Sequence, residues 1–369
     1  MRITQVDSQV LRVPLKRPTQ VPAANEAGKR LDHIYVLLVH LDTDAGHRGV
    51  GLAHAIEGGG RALQAIAQDD LAPLLIGEDP LDHERLAAKV FVQLMGISRG
   101  GLVAQAYSAV DLALWDLKGK AAGLPLFKLL GGARDAAPIY ASDTGWLWMT
   151  PEEIVEASRP CLDQGMMGIK LRVGSPSPEA DADRITRVRE ALGEDIWLGV
   201  DAGQRYDFAT ALSMGRFFEE EMGIDWFEEP IPCDDVAGYA RLASKLEVPI
   251  AGGGALWGRA EFCAYLTAGA VDILQPDITR VGGLTPWLKI AALAELHHRP
   301  LATHLAPEVG VHLACGLPHV RAVEGMPWMN AVFVDQPTIV GGKISPPERP
   351  GLGLEVRTDA IEKYRLNPR

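Results

Sequence analysis

Apolar and polar positions change rhythm twice along the chain. Over the first 55 residues they alternate: ITQVDSQVLRV reads as a strand, and HIYVLLVHLDTDAG as a strand that ends in a turn. From about 59 to 132 the period lengthens to that of a helix, and GGLVAQAYSAVDLALWDLKGKAAG carries glycine at both ends. Together these segments predict an α+β unit. Beyond Pro138, short apolar segments alternate with amphipathic helices. The segments are PIYASDTG, GIKLRVG, IWLGVDAG, IDWFEEP, PIAGGG, VDILQPD, PLATHL and VRAVEG. From Lys170 their ends fall at Asp201, Glu228, Gly254, Asp277, His304 and Glu324, at intervals of 31, 27, 26, 23, 27 and 20 residues.

That is the spacing of a repeated strand, loop and helix, and eight such units closing on themselves predict a (β/α)8-type barrel. An open doubly wound sheet is the rival. Eight consecutive units and no GxGxxG after the first strand disfavour it. The tail ISPPERPGLGLEVRTDAIEKYRL has strand and turn character and is expected to return to the N-terminal unit. The boundaries expected are 1–132 for an α+β capping domain, 133–328 for the barrel and 329–369 for the returning segment.

Composition narrows the function. A chain of 369 residues suits a barrel plus a further domain, and 47% hydrophobic residues allow a large core. The 36 Lys and Arg against 48 Asp and Glu leave a net charge of −12. An acidic chain is a poor match for nucleic acid or an anionic membrane, since phosphate binding needs clustered cations. Cys161, Cys233, Cys263 and Cys315 are far apart and form no CxxC pair, which argues against a disulfide scaffold or a zinc site. They are expected to be small buried hydrophobes in a reducing compartment. MRITQVDSQVLRVPLKRP has no signal-peptide core, and no apolar run is long enough to span a bilayer. The expectation is a cytoplasmic protein.

Barrel enzymes place their chemistry at the carboxyl ends of the strands. Those ends carry Lys170 and Arg172, Asp201, Glu228 with Glu229, Gly254, Asp277, His304 and Glu324. Any one of them alone reads as well as a solvated or structural residue. A polar group at the same place on almost every strand is harder to explain as surface.

On these residues, and on GIKLRVGSPSPEADADRITRVREALG, PDITRVGGLTPWLKIAALAE and RPGLGLEV, the chain resembles the enolase superfamily in its mandelate racemase and muconate lactonizing enzyme branch. Within that branch it is most similar to acid-sugar dehydratases of talarate/galactarate type. The resemblance covers essentially the whole chain. It implies a (β/α)7β TIM-like barrel, capped by an α+β domain built from the N-terminal region and the C-terminal tail.

It also implies one Mg²⁺, bound by acids at the ends of the third, fourth and fifth strands. Asp201 and Glu228 match the first two ligands, and hard oxygen ligands suit Mg²⁺. The plainer reading is that both acids only pair with Lys170 or Arg172. The third ligand is expected in a GGEN-like stretch, where this chain has Gly252, Gly253, Gly254 and Ala255; Gly254 offers no side chain, so weaker metal binding is expected. Glu229 is a conceivable substitute.

His304 matches the family's general base, with Asp277 as its partner. His297, His298, His312 and His319 read as helix or loop residues. Glu324 matches the acid facing the substrate carboxylate. The family's Lys-x-Lys pair on the second strand appears here as Lys170 and Arg172. Arg is a poor general base but can clamp a carboxylate. Gly203 stands where the family usually has Asn.

The activity implied is a Mg²⁺-dependent lyase that dehydrates a hydroxylated carboxylic acid such as an acid sugar. The alternatives are an impaired member that binds an acidic ligand, a sugar-acid lactone cycloisomerase, or a racemase or epimerase. The partners expected are a small-molecule carboxylate and further copies of the chain, with no nucleic acid and no membrane. Residues 18 to 33 are a candidate lid, and Trp146 and Trp148 candidate pocket walls.

Overall fold

A computed structural model describes residues 1–21, 29–56 and 58–366. Three antiparallel strands open the chain: β1 (Ile3–Val21), β2 (Lys29–Thr43) and β3 (Arg48–Ala55). Their alternation puts Val10 opposite Leu37 and Leu37 opposite Ala53, all buried. The helix Gly101–Ala122 lies across this sheet and stops at Gly123, which turns left-handed with φ 67°. It comes very close to β3. A Cβ on Gly51 would stand 1.9 Å from the carbonyl oxygen of Ala109, so only glycine fits there.

The second part is a closed parallel barrel. Its strands are β4 (Ala137–Gly145), β5 (Gly168–Arg172), β6 (Trp197–Asp201), β7 (Trp226–Glu228), β8 (Ile250–Gly252), β9 (Ile273–Leu274), β10 (Leu301–Ala302) and β11 (Val320–Gly325). Each pairs in parallel with the next, and β11 closes the ring on β4 with Glu324 opposite Tyr140. Seven helices, from Pro151–Asp163 to Pro307–Gly316, follow the first seven strands. Among the described residues the eighth strand has no crossover helix, so the architecture is the (β/α)7β barrel that the resemblance implies, and only the strand spacing read as eight full units gives one helix too many. After β11 the ring is closed and no further parallel strand is needed. It turns through a short 3-10 segment, Pro327–Met329, into a hairpin of β12 (Thr338–Val340) and β13 (Lys343–Ser345) that lies antiparallel along the start of β4. The tail then bridges Gly351 to Pro125 and Arg365 to Leu11.

Side chains alternate along a strand, and that places the site. On β5, Ile169 and Leu171 face the helices, while Lys170 and Arg172 point into the ring. Below them, Tyr140, Trp226, Ala251, Ala302 and Ala322 pack with Trp197 as an apolar floor. The Lys170 ammonium sits 5.9 Å from the Tyr140 ring. A charged layer thus rests on an aromatic one.

The N-terminal part grips the barrel at the loop after β9. Ser108 accepts from the Gly282 N–H, and Asp111 accepts from both the N–H and the hydroxyl of Thr285. Burial pushes Asp111 up to about 7 despite those bonds.

The four cysteines are free, but the expectation that all are buried is wrong. Cys315 is buried, Cys161 and Cys233 are half-buried, and Cys263 is exposed on a helix. Packing has no use for a small hydrophobe on that face. No helix among the described residues is long and apolar enough to cross a membrane.

Candidate active site

The strand ends bring five ionic side chains into one contact set. Lys170 Nζ lies 2.6 Å from Glu228 Oε1, 2.9 Å from Glu324 Oε1 and 3.6 Å from Asp201 Oδ2. Arg172 Nε lies 3.1 Å from Asp201 Oδ2, and its guanidinium rests 4.8 Å from the Trp146 ring. Two cations therefore answer three acids. Burial weakens the ammonium's hold on its proton, but Glu228, Glu324 and Asp201 outweigh it and hold Lys170 above its ordinary range. The acids divide unequally. Burial pushes Glu228 up to about 7 against the pull of Lys170. Burial acts the same way on Asp201 and Glu324, yet the neighbouring cations win and hold both below the usual range.

Two polar groups that the sequence did not single out complete this set. The Gln275 amide donates to Glu228 Oε2 at 2.7 Å. The Ser142 hydroxyl donates to Glu324 Oε1 at 2.6 Å and lies 3.3 Å from Arg172. Both were within reach of strand periodicity, because Ser142 is two residues past Tyr140 and Gln275 two before Asp277.

On the other side of β4 and β11, Asp277 and His304 form a pair. His304 Nδ1 lies 3.0 Å from Asp277 Oδ2. Thr279 donates its N–H and its hydroxyl to Asp277 Oδ1. Behind them stands His54 from β3, with Nε2 3.7 Å from Asp277 Oδ2 and Nδ1 3.0 Å from the Thr279 oxygen. Nothing in LAHAIEGGG signals this contact, since it joins residues 225 apart in sequence. Burial drives the His54 ring down to about 4, so it is neutral at pH 7. Burial pushes His304 the same way, but the Asp277 hydrogen bond and charge, with Glu324 behind them, hold it above its ordinary value. Among the described residues, His304 Nε2 has no hydrogen-bond partner.

The departures are also in place. Gly254 lies beyond β8 with no donor. Glu229, the conceivable substitute, is held elsewhere: Oε1 accepts from the Ala255 N–H and Oε2 from the Gln204 amide. Gly203 stands beside Asp201 and donates its N–H to Oδ1, in a left-handed turn with φ 52°. Among the described residues no group of three or more His, Cys, Asp or Glu is arranged to hold a metal. What remains is Asp201 and Glu228, directly paired in register on neighbouring strands. Two hard carboxylates, completed by water and substrate oxygens, are a sufficient protein share for Mg²⁺.

Trp146 is buried and lines an 80 Å³ cavity with Arg172, Asp201, Gly203 and Arg205. Trp148 donates to the carbonyl of Pro18, at the edge of the candidate lid. The lid's middle, residues 22–28, lies outside the described residues.

A barrel whose strand ends gather acids, two cations and an Asp–His pair has the layout of an enzyme acting on small acids. Comparison with known proteins makes the class specific. Residues 8–131 match the mandelate racemase/muconate lactonizing enzyme N-terminal domain, and residues 153–360 the enolase C-terminal domain-like family. The chain belongs to the mandelate racemase/muconate lactonizing enzyme family of the enolase superfamily. It is 37% identical to the L-talarate/galactarate dehydratase of Salmonella typhimurium over 97% of this chain and 90% of that one. It is 32% identical to a 3,6-anhydro-alpha-L-galactonate cycloisomerase of Streptomyces coelicolor, over 95% and 96% of the two chains. A crystal structure of the Salmonella dehydratase liganded with Mg and L-lyxarohydroxamate superposes with a TM-score of 0.95, at 36% identity, covering 99% of this chain and 93% of that one.

Proposed function

We propose that this chain is a Mg²⁺-dependent lyase that dehydrates an acid sugar, with His304 as its single general acid and base. The observation that carries the reading is the asymmetry of the strand ends. His304 has Nδ1 fixed on Asp277 and, among the described residues, no hydrogen-bond partner at Nε2, while the second barrel strand presents only cations whose neighbours keep them protonated. One competent base suits elimination, whereas racemisation needs a base on each face.

Asp201 and Glu228 would hold the metal. When bound, it supplies positive charge to the substrate carboxylate as the α-proton leaves. Lys170 and Arg172 then face that carboxylate as fixed donors, and Glu324 closes the pocket on the other side of Lys170. The floor of Tyr140 and Trp226 keeps bulk water away from the charges, which strengthens each of them. His304 Nε2 takes the proton from the α-carbon. The C–H electron pair becomes a carbon–carbon double bond, the β C–O bond breaks, and the same Nε2 returns its proton to the departing hydroxide as water. The enol left behind becomes a 2-keto acid.

The three-part division at 132 and 328, a cytoplasmic location and assembly with further copies belong to the same proposal, in keeping with an acidic enzyme built from a cap, a barrel and a returning tail.

A panel of aldarates and aldonates incubated with protein and Mg²⁺ in D₂O tests the reaction. The expected result is a 2-keto acid from one or a few stereoisomers. A specific observation also favours a second reading, that of a binder of acidic ligands: Lys170 and Arg172 already neutralise Glu228 and Asp201. Bound acid with neither product nor α-proton exchange would establish it and defeat the lyase.

A further inference from the structure

His54 belongs to the N-terminal sheet, yet it is buried against the chemistry of the barrel. Side chains alternate along β3: Ala53 joins the N-terminal core, whereas Leu52 joins the barrel's core and His54 points the same way. The helix Gly101–Ala122 keeps it there. The Gln105 amide donates to the His54 carbonyl, and further along the same helix face Ser108 and Asp111 hold the loop after β9. One helix thus fixes both the strand that carries His54 and the loop that follows Asp277.

Hydrogen-bond accounting at Thr279 decides which nitrogen of His54 carries the proton. The Thr279 hydroxyl has one proton and two partners, Asp277 Oδ1 at 2.8 Å and His54 Nδ1 at 3.0 Å. Burial pushes Asp277 up, but the two histidines and Arg280, all charged in the acid range where it titrates, outweigh burial and hold it well below the usual carboxylate range. At neutral pH its oxygens therefore only accept. Were the hydroxyl turned toward His54, two oxygens 2.8 Å apart would face each other with no proton between them. The hydroxyl instead donates to Asp277 and accepts from His54, which puts the His54 proton on Nδ1. The bare Nε2 lies 3.7 Å from Asp277 Oδ2, too far for a hydrogen bond.

We propose that His54 is a positioning residue for His304, acting through a chain in which His54 Nδ1–H donates to Thr279, the Thr279 hydroxyl to one oxygen of Asp277, and His304 Nδ1–H to the other. A donor that itself accepts a hydrogen bond donates more strongly, so Thr279 grips Asp277 more firmly with His54 behind it. A carboxylate engaged in this way draws less on the His304 proton. The N-terminal sheet thereby sets part of the base's proton affinity and keeps Nε2 ready to accept. The remaining charged groups facing the pair are Glu324, Lys170 and Arg280, and the variants below leave all three in place. The inference rests on the reading of His304 as the base, but its first readouts do not depend on turnover.

The experiment follows wild type, H54N, H54F, T279S and T279V by histidine ¹⁵N NMR across pH, with H54F and H304N assigning the two rings and thermal melting confirming each fold. The wild type needs no substitution to report the tautomer: His54 should show a protonated Nδ1 and a bare Nε2 at neutral pH. In T279V Asp277 loses a donor, so the His304 titration moves to higher pH, and T279S restores it. H54F shifts it in the same direction by less. H54N can place its amide where Nδ1 stood and donate to Thr279, so the titration returns toward the wild-type position. If the wild type is active, kcat of H54F at pH 7 falls about tenfold with KM little changed, the scale of losing a partner behind a metal-bound histidine, and H54N recovers it. A His54 protonated at Nε2 would overturn the proposal, as would a His304 titration unmoved in H54F. Equal shifts in H54N and H54F would reduce His54 to packing and overturn it as well. The expected shifts in a protein that turns over no acid sugar would leave the chain of bonds intact and remove the lyase reading instead.

Discussion

Around Lys170 five ionic groups pair with one another, whereas around His304 one ring nitrogen is committed and the other has no hydrogen-bond partner among the described residues. The first cluster sits on an aromatic floor, and its cations are kept protonated by three acids. The second has a single carboxylate that Thr279 and two histidines share. The difference teaches where proton transfer can occur. A cation with buried acids around it is suited to holding a ligand, because releasing its proton would leave those acids unpaired. A ring anchored at one nitrogen is suited to moving a proton at the other.

The sharpest way to break this contrast is to remove the open nitrogen. His304→Asn keeps an amide toward Asp277 but has no proton-accepting Nε2. Dehydration is expected to fall by about 10³-fold, within the range for a lost general base. Ligand affinity, carried by the other cluster, should change little in calorimetry. A variant that dehydrates at the wild-type rate would move the base elsewhere.

Asp277→Asn tests the same side through pH. Asp277 holds His304 above 6.5, so wild-type kcat/KM should rise with pH through a limb above that value, as the ring loses its proton and becomes a base. Without the charge, burial dominates and lowers the ring's proton affinity. The acid limb then moves to lower pH, and the plateau drops about 10- to 100-fold as tautomer control weakens. A pH–rate profile that keeps its limb in place would show that Asp277 does not set the His304 charge.

Arg172→Lys sharpens the other side. It replaces a permanent cation with an amine of the kind the family carries there. Dehydration should change by less than about tenfold, since a cation remains for the carboxylate. Deuterium exchange from the face opposite His304 should appear, or grow, in D₂O. Absence of exchange would mean that the amine's neighbours keep it as firmly protonated as Lys170.

Much of this site is legible in the amino-acid sequence. Strand spacing puts Lys170, Asp201, Glu228, Asp277, His304 and Glu324 at successive strand ends, because a barrel repeats its loops at nearly fixed length. The same spacing overstates the eighth unit, since it reports a strand but not whether a helix must follow the last one. His54 is invisible in the sequence because it reaches Asp277 from another sheet. Gly254 is legible there only as a missing ligand; that a Cβ on it would meet the His304 ring at 2.6 Å is a contact that sequence pattern does not reveal.

The smallest effect concerns a buried acid outside both clusters, which isolates the part Lys170 plays in the first. Glu308, on the helix after His304, is fully buried, and neither of its oxygens has a hydrogen-bond partner among the described residues. Glu324, equally buried, has Lys170 at 2.9 Å and stays ionised. With no such cation, burial pushes Glu308 up to about 7 from 4.5. The folded chain then keeps a proton that the unfolded chain releases, so this group's contribution is complete below 4.5 and is lost as pH rises through 7. Glu308→Gln has no proton to lose. Its melting temperature should gain on the wild type steadily from pH 5 to 8, by the equivalent of at most about 3 kcal/mol. A gap that stays constant with pH would show that Glu308 is ionised in the fold. Burial next to a cation would then no longer be what separates the two glutamates.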